Sequence, residues 1–335
     1  MQPARHRNGF ELGKMNLTYP RIAIVILNWN NPDDTLACLG SVGALHYPAE
    51  QLETIVVDNG STDDSVVRIS AEYPEATILE TEENLGYAAG NNVGIRYALD
   101  TGADYILILN NDTLIAPTML TELVHFMEPR PEIGMAGPTM YCVEPKDTLF
   151  AAGSFVQWSK GQLWHRGLFQ PANVYAGIQN PEPVDFIVGC GVLVRRQCIE
   201  AIGLFNPDYY LNFEDTEWDI QAWRHGFEVW HVPQAVMWHK VNATLGRASP
   251  ANTYYMTRNA LLFFWRNASL HLRWLAVSRI ILRTLRTTMA WTVKPQYRNE
   301  TFRRKRDANL FALRDFFLGR FGRMGPDVAR VCYGE

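Results

Sequence analysis

The sequence predicts an α/β protein: a mostly parallel central sheet flanked by helices, with a basic, amphipathic helical region at its C-terminus. Three observations carry this reading. Short branched-aliphatic runs recur about every 25–30 residues, each followed by helical periodicity, as in repeated βα units. The runs are apolar throughout rather than alternating, as strands buried on both faces are. Charge is also divided: residues 1–257 hold 15 Lys and Arg against 30 Asp and Glu, whereas residues 258–330 hold 16 against 4.

At 335 residues, with 47% hydrophobic and 12% aromatic content, the chain is long enough for one large α/β domain and an appendage. The expected organisation is a flexible tail over 1–20, a catalytic domain over 21–257 and a basic region over 258–335. The first twenty residues carry Arg5, His6 and Arg7 without an apolar core, so they do not read as a signal peptide. The five cysteines are scattered with no CxxC pair, which argues against a zinc site or a disulfide framework and fits a reducing compartment. No long uncharged apolar window is present, so no segment reads as a membrane span. A cytoplasmic protein is expected.

The first strand is Ile22 to Leu27, ending at Asn28-Trp29-Asn30-Asn31, with a helix starting at Pro32. The second, Thr54 to Val57, ends at Asp58-Asn59-Gly60-Ser61-Thr62-Asp63. The third, Thr77 to Leu79, leads to Asn84-Leu85-Gly86-Tyr87-Ala88-Ala89-Gly90-Asn91-Asn92, and a helix runs from there to Leu99. The fourth is Tyr105 to Leu109, running straight into Asn110-Asn111-Asp112. Right-handed crossovers place these four polar clusters along one edge of the sheet, where ligands of open α/β sheets bind. Asp112, beside two amides, suits a hard divalent cation that bridges phosphate oxygens; it also suits a cap for the helix starting near Pro117. Gly86 and Gly90 let backbone approach a ligand, or simply pack a helix on a strand. The glycine spacing is neither GxGxxG nor GxxxxGK[ST], so dinucleotide and P-loop readings lose support.

A strand at Ile133 to Ala136 follows, then an irregular aromatic-rich stretch over 140–185 that offers rings for stacking on sugars or for a small core of its own. Val184 to Arg196 reads as two adjoining strands broken by glycines, and Ile199 to Asn206 as a short helix with a glycine stop. Glu214 and Asp215 open the next helix, which Gly226 ends; acids at a helix start also answer the dipole with no further role. Phe227 to Val232 is a strand, and Val236 to Lys240 follows it.

Read together, Val25–Asn30, Val56–Asp63, Asn84–Gly94, Ile108–Asp112, Gly189–Arg195, Gly203–Phe205 and Phe213–Gly226 resemble the family 2 glycosyltransferases, which have a GT-A (Rossmann-like) fold, and within them the rhamnosyltransferase-like branch. The resemblance covers about residues 20–265; each motif alone is moderately specific, their shared order strongly so. It implies a nucleotide-sugar-binding half over 21–138 and an acceptor-binding half over 139–257. It implies that Asn28 and Asn30 line the nucleotide pocket, that Asp58 contacts the base, with Asn59 and Ser61 beside it, and that Asn84, Gly86 and Asn91 shape the loop near pyrophosphate and sugar. Asn110-Asn111-Asp112 stands where the family's DxD metal motif lies. Asp215, paired with Glu214, falls on the general-base position. His239 matches a metal-ligand histidine, so that Asp112 and His239 would hold Mg2+ or Mn2+. Arg258 would face the leaving diphosphate. Two departures stand out: the metal motif has one carboxylate where many members have two, and Gln221 replaces the usual arginine.

The expected activity is that of an inverting, metal-dependent glycosyltransferase moving a sugar from a nucleotide-sugar, with dTDP-rhamnose the donor that the resemblance suggests, to a glycan or lipid-linked acceptor in cell-surface polysaccharide synthesis. A sugar-nucleotide pyrophosphorylase would need a basic glycine-rich loop that Asn28 to Pro32 does not supply. A non-catalytic nucleotide-sugar or carbohydrate-binding protein would not need both Asp112 and Asp215. In the C-terminal region, Arg266, Arg273, Arg279, Arg283 and Arg286 fall on one side of a helix over 259–292, opposite Leu, Ile, Trp and Val. With Arg303-Arg304-Lys305-Arg306, this suits an anionic membrane surface on the inner face of the cell membrane; a helical subdomain packed on the catalytic domain or an oligomer contact are the other readings. No motif for reading nucleic acid accompanies the charge.

Overall fold

The structure is a computed structural model that describes residues 19–175, 177–240 and 249–334; residues 1–18 of the expected N-terminal tail lie outside the described residues. The βα repeats form as the apolar runs require: β1 (Ile22–Asn28) and α1 (Pro32–Gly43), β2 (Leu52–Asp58) and α2 (Ser65–Glu72), β3 (Thr77–Glu80) and α3 (Gly86–Asp100), then β4 (Tyr105–Asn110), β5 (Thr113–Ile115) and α4 (Met119–Met127). The second half holds β6 (Ile133–Cys142), β7 (Leu149–Ala151), β8 (Ser154–Gln157), β9 (Gln162–His165), β10 (Glu182–Pro183), β11 (Gly191–Arg195), α5 (Arg196–Ile202), α6 (Glu214–Arg224) and β12 (Glu228–His239). The chain closes with α7 (Pro250–Asn267), α8 (Leu270–Val293), α9 (Glu300–Phe317) and α10 (Pro326–Tyr333).

One large sheet runs in the order β10-β12-β6-β11-β4-β1-β2-β3, with β5 added on β12 and β7 on β6. β4, β1, β2 and β3 are parallel neighbours, and β12 is parallel to β6. β11 is antiparallel to both β4 and β6. The sheet is therefore mixed: β1, β2, β3, β4, β6 and β12 run one way, the parallel majority expected, while β11, β10, β5 and β7 run against it, and the reversal of β11 has a consequence for the site. β11 begins where β4 ends, with Gly191 opposite Leu109. The residues just before it, Ile187 to Cys190, are thereby delivered to the carboxyl edge of the sheet. Ile22 to Ile26, Ile55 to Val57 and Ile106 to Ile108 are almost wholly inaccessible, which is why these strands show no alternation.

Several boundaries differ from the sequence reading. Of Val184 to Arg196, only Gly191–Arg195 joins the sheet as a strand, because Gly189 and Cys190 turn at the site. Glu228–His239 is one continuous strand, with a bulge between Val232 and Val236 where Pro233 removes a ladder donor. The expected helix over 259–292 is two helices, and the expected boundary at 257/258 falls inside α7. The chain is pinned where α7 ends: Asn267 donates its amide to Glu217 (2.9 Å), while Arg224 takes the Asn267 carbonyl (2.6 Å). A second apolar cluster, in which Phe186, Tyr209 and Phe213 meet Phe263, Phe264 and Ile280, joins α7 and α8 to the catalytic body.

Candidate active site

Four strand ends build one polar network at the carboxyl edge. Asn28, closing β1, donates its amide to Asp58 Oδ1 (2.8 Å) and Ser61 Oγ (3.2 Å). Ser61 returns its backbone N–H to Asp58 Oδ2 (3.0 Å) and accepts from the Asn30 N–H (2.9 Å). Asn30 carries a positive φ of 50°, and its side-chain oxygen takes the Thr62 N–H (2.7 Å). Asn59 links this pair to the third loop by donating to Asn84 Oδ1 (3.1 Å) and the Gly86 carbonyl (3.3 Å). Thr35 of α1 joins the first strand to the fourth, donating to Asn28 Oδ1 (2.7 Å) and accepting from the Asn111 amide (3.0 Å). Thr35 escaped the sequence reading, since a threonine inside a helix carries no signal by type. Gly86 has φ 80°, and a Cβ there would lie 2.5 Å from the Tyr210 ring, so this turn demands glycine.

Asp112 does not cap α4, which begins seven residues later at Met119. It sits in the tight connection from β4 to β5, 3.2 Å from Nε2 of His239 at the end of β12. That approach lacks hydrogen-bond alignment, since Asp112 Oδ1 has no hydrogen-bond partner among the described residues. Phe150 packs edge-on against the His239 ring, 4.8 Å between centroids. Lys240, which the sequence did not single out, binds Asp34 (2.8 Å) and brings an ammonium to the same rim.

Asp215 comes from the opposite direction. The loop before α6 turns inward through Tyr210, Asn212 and Phe213, all at positive φ (62°, 68° and 76°), a cost of about 1–3 kcal/mol each that the surroundings must hold in place. Phe213 is buried against Phe263, which turns Glu214 and Asp215 into the protein. Asp215 Oδ2 accepts the Gly189 N–H (2.8 Å) and Oδ1 the Thr216 N–H (2.6 Å). Cys190, next along, accepts the Asn110 N–H through its carbonyl (3.1 Å). The turn Gly189–Cys190 thus joins the strand end that carries Asp112 to the helix start that carries Asp215. Tyr87, to which the sequence reading gave no role, donates its hydroxyl to the Gly189 carbonyl (2.6 Å). Its own pKa is raised by burial and by Glu214, Asp215, Cys190 and Asp112 around it.

Burial raises the Asp215 pKa above the ordinary carboxylate value, against the backbone N–H groups that lower it. Glu214 is pushed well up by burial and then by Asp215 beside it. Asn91 Oδ1, Asn110 Oδ1, Asp112 Oδ1, Glu214 Oε2 and His239 Nδ1 are buried without a hydrogen-bond partner among the described residues. Buried polar atoms are nearly always paired, so their gathering here marks a site built to meet a ligand.

Arg258 requires a correction. Its side chain is fully buried and donates to the carbonyls of Asp208 (3.3 Å), Tyr209 (3.2 Å) and Gly322 (2.8 Å), as well as to Tyr254 and Asn259. No donor remains for a diphosphate, because α7 turns this side chain toward the 208–212 loop. Neighbouring Asn259, missed by the sequence reading, donates to the carbonyls of Tyr209, Leu211 and Asn212 (2.8, 2.7 and 3.0 Å). Gln221, at the position of the family's arginine, turns instead to Asn267 (3.1 Å).

Known proteins resemble this chain in sequence and in fold. The family model for glycosyl transferase family 2 matches residues 23–203. A dTDP-rhamnosyl transferase of Shigella flexneri is 24% identical over 249 residues, covering 70% of this chain and 77% of that protein. An N-acetylglucosaminyl-diphospho-decaprenol L-rhamnosyltransferase of Mycobacterium tuberculosis is 26% identical over 258 residues, covering 70% and 82%. Among solved structures, a mannosyltransferase from Pyrobaculum calidifontis in complex with GDP-Man and Mn2+ aligns with a TM-score of 0.56 at 18% identity, covering 90% of this chain and 88% of that one. GalNAc-T7 with UDP, GalNAc and Mn2+ aligns with a TM-score of 0.60 at 14% identity, covering 90% and 57%. The fold is therefore GT-A, and since the matched family segment takes in every strand of the β1–β4 parallel core together with the Gly189–Cys190 turn, the chain belongs to glycosyl transferase family 2.

Proposed function

We propose that the protein is an inverting glycosyltransferase that moves a sugar from a nucleoside-diphosphate donor to a hydroxyl of a glycan or lipid-linked acceptor in cell-surface polysaccharide synthesis. The two rhamnosyltransferases among its relatives make dTDP-rhamnose the donor to try first. The observation that supports the proposal is that the Gly189–Cys190 turn bonds both Asp215 and Asn110, which lies two residues before Asp112. In this mechanism the acceptor hydroxyl gives its proton to Asp215 as its oxygen attacks the anomeric carbon. The bond to the diphosphate breaks on the opposite face, the leaving oxygen keeps the electron pair, and the anomeric configuration inverts. Incubation with a panel of nucleotide-sugars, reading nucleoside diphosphate release and the anomeric configuration of the product, tests this directly. A product of retained configuration overturns it.

A divalent ion fits the chemistry at Asp112 and His239, where a partnerless carboxylate oxygen and an imidazole nitrogen converge. No third His, Cys, Asp or Glu joins them among the described residues, so the remaining ligands would be diphosphate oxygens and water, the usual arrangement for a nucleotide-bound ion. A nitrogen ligand makes Mn2+ a better fit than Mg2+. Bound there, the ion would neutralise charge on the leaving diphosphate. Since loss of a merely supporting residue typically costs 10–100-fold in metal affinity, Asp112→Ala is expected to raise the metal concentration for half-maximal turnover by about 100-fold or more. Unchanged metal dependence removes Asp112 from this role.

The C-terminal helices fit a place on an anionic bilayer, though not by the arrangement that the sequence suggests. Arg266, Arg279 and Arg283 bond the catalytic body, at Glu217, Ser159 and Gly161, and Arg304 and Arg306 pair with Glu300 and Asp307. Besides Arg279, Arg283 and Arg286, α8 turns apolar side chains outward: Leu270, Trp274, Leu282, Leu285, Met289 and Val293 are exposed. Lys294, Arg298 and Arg303 are exposed beside its end. Among the described residues no helix is long and apolar enough to cross a membrane. An apolar stripe with basic residues at one end binds at the interface. The protein is expected to co-sediment with phosphatidylglycerol vesicles and not with phosphatidylcholine vesicles, and a Trp274→Ser, Leu285→Ser, Met289→Ser triple variant to stay in the supernatant. Equal sedimentation of both proteins places the contact elsewhere.

A further inference from the structure

A cavity of about 320 Å3 lies between the sheet and the segment that follows β9. Thr139 and Tyr141 of β6, Leu149 of β7, His231 of β12, and Asn173 and Tyr175 line it. Strand register fixes its position. His231 pairs with Gly137, and Thr139 and Tyr141 follow at intervals of two along β6, so all three point to one face. His239 pairs with Cys142, which belongs to the other face. The cavity is therefore on the opposite side of the sheet from His239, although Tyr141 pairs with Trp238, the residue next to it.

The lining defines the chemistry. It contains no Asp, Glu, Lys or Arg. His231 is fully buried, with Nε2 2.9 Å from Thr139 Oγ1 and Nδ1 without a hydrogen-bond partner among the described residues. Burial, reinforced by Arg166 nearby, lowers its pKa to about 4, so the ring is neutral at physiological pH and presents one donor and one acceptor. Two phenols, a threonine hydroxyl, an amide and an imidazole thus surround a space within the usual 300–1,000 Å3 of small-molecule sites. Arg166 nearby is committed to Glu182 and the Ala152 carbonyl, so a phosphate or carboxylate would find no free cation in the lining. A neutral, hydroxyl-rich ring would find donors, acceptors and aromatic carbon.

We propose that this cavity is a second saccharide site, which holds an uncharged sugar unit of the glycan away from the reacting end; the glycan assignment rests on the transferase reading above. Saturation-transfer NMR on the full chain, with methyl rhamnoside, N-acetylglucosamine and mannose as probes and nucleoside diphosphate with Mn2+ present throughout, tests it. At least one sugar is expected to receive saturation from the wild type, with its Kd raised about tenfold, equivalent to 1.4 kcal/mol, in both Tyr175→Ala and the near-isosteric Thr139→Val. No transfer to any sugar, or transfer that both substitutions leave unchanged, overturns the site. Nucleotide-sugar turnover on the same samples keeps the two ideas apart: a wild type that binds sugar here yet turns over no donor retains the site and overturns the transferase reading.

Discussion

Asp215→Asn is expected to bind nucleoside diphosphate as the wild type does and to lose about 10²–10⁴-fold in turnover, the usual contribution of a positioned base. Both effects follow from where Asp215 is held. The donor network of Asn28, Asp58, Asn59, Ser61 and Asn84 stands on β1, β2 and the loop before α3, and no hydrogen bond joins it directly to Asp215. The carboxylate accepts one backbone N–H on each oxygen, which leaves lone pairs to take a proton. An amide cannot take it, and turns a donor toward either the Gly189 or the Thr216 N–H. Because burial raises the Asp215 pKa, the wild type should show an acidic limb centred above the ordinary carboxylate range: turnover rises as pH rises through that pKa and the base becomes charged. The variant should lose this limb. Isothermal titration for donor affinity and a pH–rate profile check both; turnover near that of the wild type removes Asp215 from the base role.

Much of this site was legible because its residues are arranged by local rules. Apolar runs such as Ile22–Leu27 and Tyr105–Leu109 can only be doubly buried strands, and the polar residue ending each must then stand at the ligand edge. Pairing direction was not legible. Gly191–Arg195 is as apolar as its parallel neighbours, and only the packed sheet reveals that it runs backwards and delivers Gly189 to Asp215. Nor do residue types report which group a long side chain reaches. Tyr87 and Thr35 act through bonds to Gly189 and Asn28 that span 102 and 7 positions. The arginines of α8 read as a membrane face by periodicity, yet Arg279 and Arg283 reach back more than a hundred residues to loop carbonyls.

Arg258 is where sequence and structure make opposite forecasts. As a diphosphate ligand, Arg258→Lys would weaken donor binding and leave stability nearly untouched, since the charge is kept. As a buried strut, it should do the reverse. The guanidinium reaches three carbonyls on two separate segments, at Asp208, Tyr209 and Gly322; an ammonium lacks that planar fork and cannot span them. The carbonyls of Asp208 and Tyr209 keep other donors, the Gly322 N–H and the Asn259 amide, so the Gly322 carbonyl is the one left unpaired and Arg258→Lys should lose about 1–3 kcal/mol. Asn259→Ala should lose a similar amount, because its amide serves the carbonyls of Tyr209, Leu211 and Asn212. These two side chains are what hold Tyr210, Asn212 and Phe213 in their positive-φ conformations directly ahead of Glu214 and Asp215. Once they are gone, the loop is free to relax, so kcat should fall with stability while donor affinity stays at the wild-type level. Chemical denaturation, donor titration and kcat on both variants decide the matter: a weakened donor with unchanged stability returns Arg258 to the diphosphate, and a destabilised protein with intact donor binding makes it the residue that aims the base.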